Sequence, residues 1–285
     1  MSEFDAQEIP AVAPRRKFDH GWAVVPVTLF LLTAFTTTFL GAGPWYAIAI
    51  LTILGAHEFG HYFACRWHGV DCTLPYFIPA PILLTGTLGA VIKIREQFPS
   101  RAALFDIGVA GPLAGFITLW PFLIVGIWLS DLAPLPDDAG TLLLGEPLLF
   151  KALARLVHGP LPEGTDIVIH PMGFAAWFGM LATALNLLPF GQLDGGHIAY
   201  AVFGHRAVRF SVVTLATVVG LSFLATSWIA MAVMLTVMTW MVGLRHPPPL
   251  DDWTPLSRGR LIVAALALLI FVVCFTPTPI TFTWE

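Results

Sequence analysis

Apolar residues run in long blocks along the chain, broken by short polar or proline-rich stretches. A helix needs about 20 such residues to cross ~30 Å of hydrocarbon. The blocks predict spans near residues 24–40, 45–65, 104–129, 171–190, 209–225, 228–244 and 261–276. The run 209–244 is too long for one crossing and is divided at Thr226-Ser227. The expected fold is an all-α polytopic membrane protein of about six to seven transmembrane helices. One stretch breaks the helical pattern. Residues 71–101 carry Pro75, Pro79, Pro81, Gly86 and Gly89 between short β-branched and aromatic runs. That pattern predicts a small membrane-associated β or re-entrant element. Such backbone sits at membrane depth only against protein or water. The loop 130–170, with Pro134, Pro136, Pro147, Pro160 and Pro162, is expected at the surface. The organisation that follows is a cytoplasmic tail at 1–22, a single integral membrane domain at 23–276 with its core at 45–200, and a tail at 277–285.

Composition agrees with this pattern. The chain is 57% apolar and only 11% charged, with a mean hydropathy of +0.80. Soluble proteins are about 45–50% apolar and ~25% charged, so an ordinary soluble globular protein and a disordered chain are both excluded. The net charge is −4 and no basic run occurs, so no nucleic-acid partner is expected. Cys65, Cys72 and Cys274 are scattered and odd in number, which gives neither a disulfide framework nor a paired-cysteine metal site. The first 22 residues mix acids and bases without an apolar stretch, so no cleavable signal is expected.

The basic residues set an orientation, because Lys and Arg collect on the cytoplasmic side. With the N-terminus inside, Arg15, Arg16, Lys17, Arg66, Lys93, Arg95, Arg101, Arg206, Arg209, Arg245, Arg258 and Arg260 all fall on that side, which is 12 of the 14. Only Lys151 and Arg155 fall outside. The reading expects a multi-pass protein of a prokaryotic inner membrane with a cytoplasmic N-terminus.

Against this apolar background the second block reads Ala56-His57-Glu58-Phe59-Gly60-His61. Residues i and i+4 share a helix face, so His57 and His61 offer two imidazoles to one metal. Glu58 is offset from that pair and able to reach a water beside the metal as general base. Ionisable groups inside an apolar helix are expensive and usually functional. A catalytic zinc needs a third protein ligand. The fourth block ends Asn186-Leu187-Leu188-Pro189-Phe190-Gly191-Gln192-Leu193-Asp194-Gly195-Gly196-His197. Pro189 breaks the helix, and the glycines permit an irregular path that displays Asp194 on a turn. Asp194 is the favoured third ligand and His197 its rival. Asn186 is either a packing amide or a hydrogen-bond donor to a substrate carbonyl. The charge count, which never used these motifs, brings His57, His61 and Asp194 to one depth near the cytoplasmic face.

With these residues in view the chain resembles the site-2 protease family of intramembrane zinc metalloproteases. The resemblance rests on H-E-x-x-H at 57–61, on N-x-x-P-x-x-x-x-D-G-G at 186–196, and on Gly111-Pro112-Leu113-Ala114-Gly115 between them. It extends over roughly 45–200, and the stretch 85–115 reads like the bacterial and plastid branch. It implies one Zn2+ per chain held by His57, His61 and Asp194, with Glu58 as catalytic base and Asn186 holding substrate. It also implies cleavage in or near transmembrane segments of membrane-protein substrates. An anti-sigma factor, a membrane-bound regulator and a remnant signal peptide all fit. Many relatives carry PDZ or CBS domains, and this sequence shows neither. Oligomeric state is not legible.

Other features point to packing. Gly108, Gly111 and Gly115 allow close helix approach, and Cys65 shares the His57/His61 face as a core residue. His68, His158, His170, His205 and His246 are expected to be solvated, and Trp22, Trp45 and Trp253 lie near span ends as an aromatic belt does. A substrate helix must unwind before it is cut, and pairing as a strand with residues 75–95 near Ile92 and Ile94 offers a route. Two rival readings, a metal transporter and a non-proteolytic homologue that binds membrane proteins, fit less well. The ionisable groups cluster at one end of the spans, and no catalytic residue is missing. No GxSG or GxGD stretch supports a serine or aspartyl protease.

Overall fold

The computed structural model describes residues 23–81, 85–134, 142–162 and 164–282. It is mostly helical, in the order α1 (Val24–Phe39), α2 (Pro44–Trp67), β1 (Tyr76–Pro79), β2 (Thr87–Val91), α3 (Arg101–Trp128), β3 (Asp131–Pro134), β4 (Leu142–Leu144), α4 (Leu148–His158), β5 (Thr165–Val168), α5 (Pro171–Asn186), α6 (Asp194–Phe203), α7 (Ala207–Leu221), α8 (Ser227–Val242), α9 (Arg258–Cys274) and β6 (Ile280–Phe282). A helix occupies each of the seven apolar blocks. Among the described residues, three helical stretches are long and apolar enough to cross a membrane: Pro44–Trp67, Arg101–Trp128 and Asp194–Leu221, the last being α6 and α7 joined through the 3-10 turn Gly204–Arg206. The chain breaks between α7 and α8 at Thr226-Ser227, as the block length requires.

Local chemistry explains the helix starts that frame the site. Pro44 opens α2 and Pro171 opens α5, positions where a missing N–H costs nothing. The Ser100 hydroxyl caps α3 by accepting from the Ala103 amide at 3.2 Å. Helices α2, α3 and α5 pack together at the centre, with Tyr46, Ile53, Leu104, Phe105, Trp177 and Met180 at most 2% exposed.

The segment 71–101 forms an antiparallel hairpin of β1 and β2, with Tyr76 opposite Val91 and Pro79 opposite Thr87. Its base, where Cys72 pairs with Ile94, joins Cys65 and Ile107 in one apolar cluster. Further along, Phe77 meets Phe30 of α1 with ring centroids 5.1 Å apart and lies beside Gly55 of α2. Near the tip, the Gly86 carbonyl accepts from the Thr36 hydroxyl of α1 at 2.6 Å.

Several elements differ from expectation. Asp194 is not on a turn; it is the first residue of α6, and the irregular path ends just before it. The loop 130–170 carries structure of its own: α4, and β3 paired with β5. The C-terminal tail pairs β6 with β4. Trp45 and Trp253 are exposed, whereas Trp22, Arg15, Arg16, Lys17 and the rest of the tail 1–22 lie outside the described residues, as do 283–285.

Candidate metal centre

The site is assembled from two helices that present donors and a third that leaves room for them. His57 and His61 stand one turn apart on α2, and both are 6% exposed. Asp194 opens α6. Its Oδ2 lies 3.2 Å from His57 Nε2 and 3.3 Å from His61 Nε2, and the two Nε2 atoms are 3.2 Å apart. These three donors form a nearly equilateral triangle. A tetrahedral zinc with metal–ligand distances of ~2.0–2.1 Å has its ligands ~3.3–3.4 Å from one another, so the residues fit one such ion and leave one vertex free.

The imidazoles are also oriented for this. His61 Nδ1 donates to the Ile107 carbonyl at 2.7 Å, which leaves the lone pair on Nε2 facing the other donors. The Ile107 carbonyl belongs to α3 and could not be foreseen from local sequence. Helix α3 comes this close because of its glycines. A Cβ on Gly111 would lie 2.1 Å from His61 Nε2, and one on Gly115 would lie 3.2 Å from His57 Cβ. These glycines therefore do more than admit helix packing, because any side chain at Gly111 would fill the centre.

Asp194 reaches the site through a tight reversal after α5. Pro189 cannot continue the helix. The Leu193 amide bonds back to the Phe190 carbonyl at 3.0 Å, and the Gly191 amide donates to the Ser211 hydroxyl at 3.1 Å. The start of α6 then abuts the end of α5 so closely that a Cβ on Gly195 would lie 2.1 Å from the Leu187 carbonyl oxygen.

Glu58 is 6% exposed and lies against the backbone amide of Ile92, the residue just after β2. Asn186 ends α5 with its Nδ2 3.3 Å from His57 Nε2, so its amide borders the donor triangle. His197, the rival ligand, is not among the converging donors. Its Nδ1 pairs instead with His246 Nε2 at 2.6 Å.

The other histidines are not simply solvated. His68 bonds Asp106 at 2.9 Å, His158 bonds the Ile127 carbonyl at 2.9 Å, His170 Nδ1 caps α5 by accepting from Met172 at 3.2 Å, and His205 bonds Tyr200 at 2.9 Å. His246 bonds the Pro247 carbonyl through its second nitrogen at 2.6 Å. Cys65 is fully buried, as expected of a core residue.

The model of peptidase family M50 matches residues 45–227. The chain is 32% identical over 247 residues to the probable zinc metalloprotease EGY2, chloroplastic, of Oryza sativa subsp. indica, covering 84% of this chain and 44% of that protein. It is 32% identical over 265 residues to the probable zinc metalloprotease EGY1, chloroplastic, of Arabidopsis thaliana, covering 90% and 46%. The Arabidopsis EGY2 protein is 28% identical over 308 residues, covering 98% and 54%. The chain thus spans about half the length of the curated relatives it matches. Over its own length it belongs to peptidase family M50, the site-2 protease family.

Proposed function

We propose that this protein is an intramembrane zinc metalloprotease that hydrolyses peptide bonds in or near transmembrane segments of membrane proteins. The observation that carries the reading is the triangle of His57 Nε2, His61 Nε2 and Asp194 Oδ2, with edges of 3.2–3.3 Å and a free side. One Zn2+ held by these residues would supply a Lewis acid for the scissile carbonyl and would acidify water.

The remaining work falls to the chain. Glu58 takes the proton of the attacking water and passes it to the leaving amide nitrogen. The Asn186 amide donates a hydrogen bond to the substrate carbonyl as charge develops on its oxygen. The substrate lies as an extended strand against the outer edge of β2 near Ile92, which exposes carbonyls that a helix keeps in internal hydrogen bonds. Regulated cleavage of an anti-sigma factor, a membrane-bound regulator or a remnant signal peptide fits this chemistry.

The same reading includes about six to seven membrane spans, α1, α2, α3, α5, α7, α8 and α9, with α6 leading into α7. The β1–β2 hairpin is then re-entrant. Its contacts support this, because they run from Cys65 near one end of α2, past Gly55, to Thr36 near the far end of the antiparallel α1. The Lys/Arg distribution favours a cytoplasmic N-terminus and a site toward the cytoplasmic side of a cell inner membrane. His61 and His57 precede Trp67 by six and ten residues, or ~9 and ~15 Å along the axis.

A transmembrane reporter in nanodiscs tests the assignment. Glu58→Gln should retain one zinc per chain and lose at least 10³-fold in turnover, a loss of the order that removing a catalytic general base brings. His57→Ala should lose both zinc and cleavage. Normal cleavage by Glu58→Gln would remove the general-base role.

A further inference from the structure

Helices α2 and α3 run antiparallel, and their neighbours can be read off in order. His57 sits against Gly115, Gly60 against Ala110, His61 against Gly111, and His68, which caps the end of α2, against Asp106. The glycines admit this register but supply no attraction that holds it. If α3 slipped by one turn, ~5.4 Å, one glycine would still lie under one imidazole ring. The other ring would then meet Ile107 or Leu119.

Something else must hold the register, and Asp106 has the contacts to do so. Its Oδ1 accepts from Arg260 Nε at 2.8 Å, and its Oδ2 accepts from Arg260 Nη2 at 2.7 Å and from His68 Nε2 at 2.9 Å. The two-pronged guanidinium pair constrains direction as well as distance. Arg260 lies in the first turn of α9, beyond the residues that the family model matches. The next residue of α3, Ile107, gives the carbonyl that orients His61.

We infer that Asp106, clasped by His68 and Arg260, is a positioning residue that fixes α3 against α2 and thereby sets the metal affinity of the site. The inference rests on the reading of His57, His61 and Asp194 as zinc ligands. The clasp keeps Gly111 and Gly115 under the ligand rings and the Ile107 carbonyl on His61 Nδ1, although none of its three side chains touches the metal position.

The test measures zinc affinity by chelator competition, with the full chain in detergent, for Asp106→Asn, Arg260→Gln and the double variant. Melting of each metal-free protein is followed in parallel. The clasp predicts that each single variant weakens zinc by about 10-fold or more, the range seen when outer-shell partners of metal ligands are removed. The double variant should be no worse than the weaker single one. A merely structural ion pair would lower the melting temperature and leave the dissociation constant of the folded protein unchanged. That result would overturn the inference. Should Asp106→Asn fail to fold, Arg260→Gln decides the question, because its side chain is already one-third exposed. A wild-type protein that binds no zinc would instead sink the metal reading itself.

Discussion

At the scale of single residues, the centre depends as much on absent side chains as on the groups that face it. Gly111→Ala adds one methyl group, and that methyl would lie 2.1 Å from His61 Nε2. Neither the ring, tied to Ile107 through Nδ1, nor the α3 backbone can yield at low cost. Zinc content by mass spectrometry should fall well below one per chain in this variant. Gly115→Ala meets His57 Cβ at 3.2 Å and Nδ1 at 3.3 Å, on the side of the ring away from Nε2, and should keep most of its zinc; equal losses would argue against the steric account. Asn186 makes a different prediction. Its amide borders the donors without being one of them, so Asn186→Ala should retain zinc and lower kcat on a transmembrane reporter by about 10²–10³-fold, the effect of removing one oxyanion donor. A packing amide would instead change stability and leave kcat unchanged.

At the scale of elements, the β1–β2 hairpin reaches the candidate site, since the backbone of Ile92, the residue after β2, lies beside Glu58. Ile92→Pro removes the amide N–H there and bends the strand edge at a position outside the donor triangle. Cleavage should fall at least 10-fold with zinc bound as in the wild type, measured on the same reporter; unchanged cleavage would remove the strand-pairing route. The hairpin was legible beforehand because Pro75, Pro79, Gly86 and Gly89 break helical periodicity locally. The histidine pair was legible for the converse reason, since i and i+4 on one helix need no tertiary knowledge. Asp194, 133 residues beyond His61, was reached from the break that Pro189 and the glycines make after the fourth block, and the charge asymmetry of the loops brought it independently to the same depth. Its helix was missed, because Gly195 and Gly196 read as breakers until the end of α5 lies against them. Helix α4 was masked by the prolines that bracket it. The Asp106–Arg260 pair, 154 residues apart, left no local trace at all.

At the scale of the whole molecule, three donors drawn from α2 and α6 tie the front of the chain to its second half. Two imidazoles and a carboxylate converge on one point, with the Asn186 amide bordering it 3.3 Å from His57 Nε2. Binding to the folded state alone adds RT ln(1 + [L]/Kd), about 2.7 kcal/mol at a hundredfold excess over Kd. Stripping the metal with a strong chelator should therefore lower the melting temperature by several degrees and should speed proteolysis at the reversal 187–193, which leads into Asp194. Readdition of zinc should restore both. His57→Ala, which cannot close the triangle, should melt at one temperature with or without chelator. A wild-type melting curve indifferent to chelation would mean that the donors hold no ion, and the peptidase chemistry assigned to them would lose its foundation.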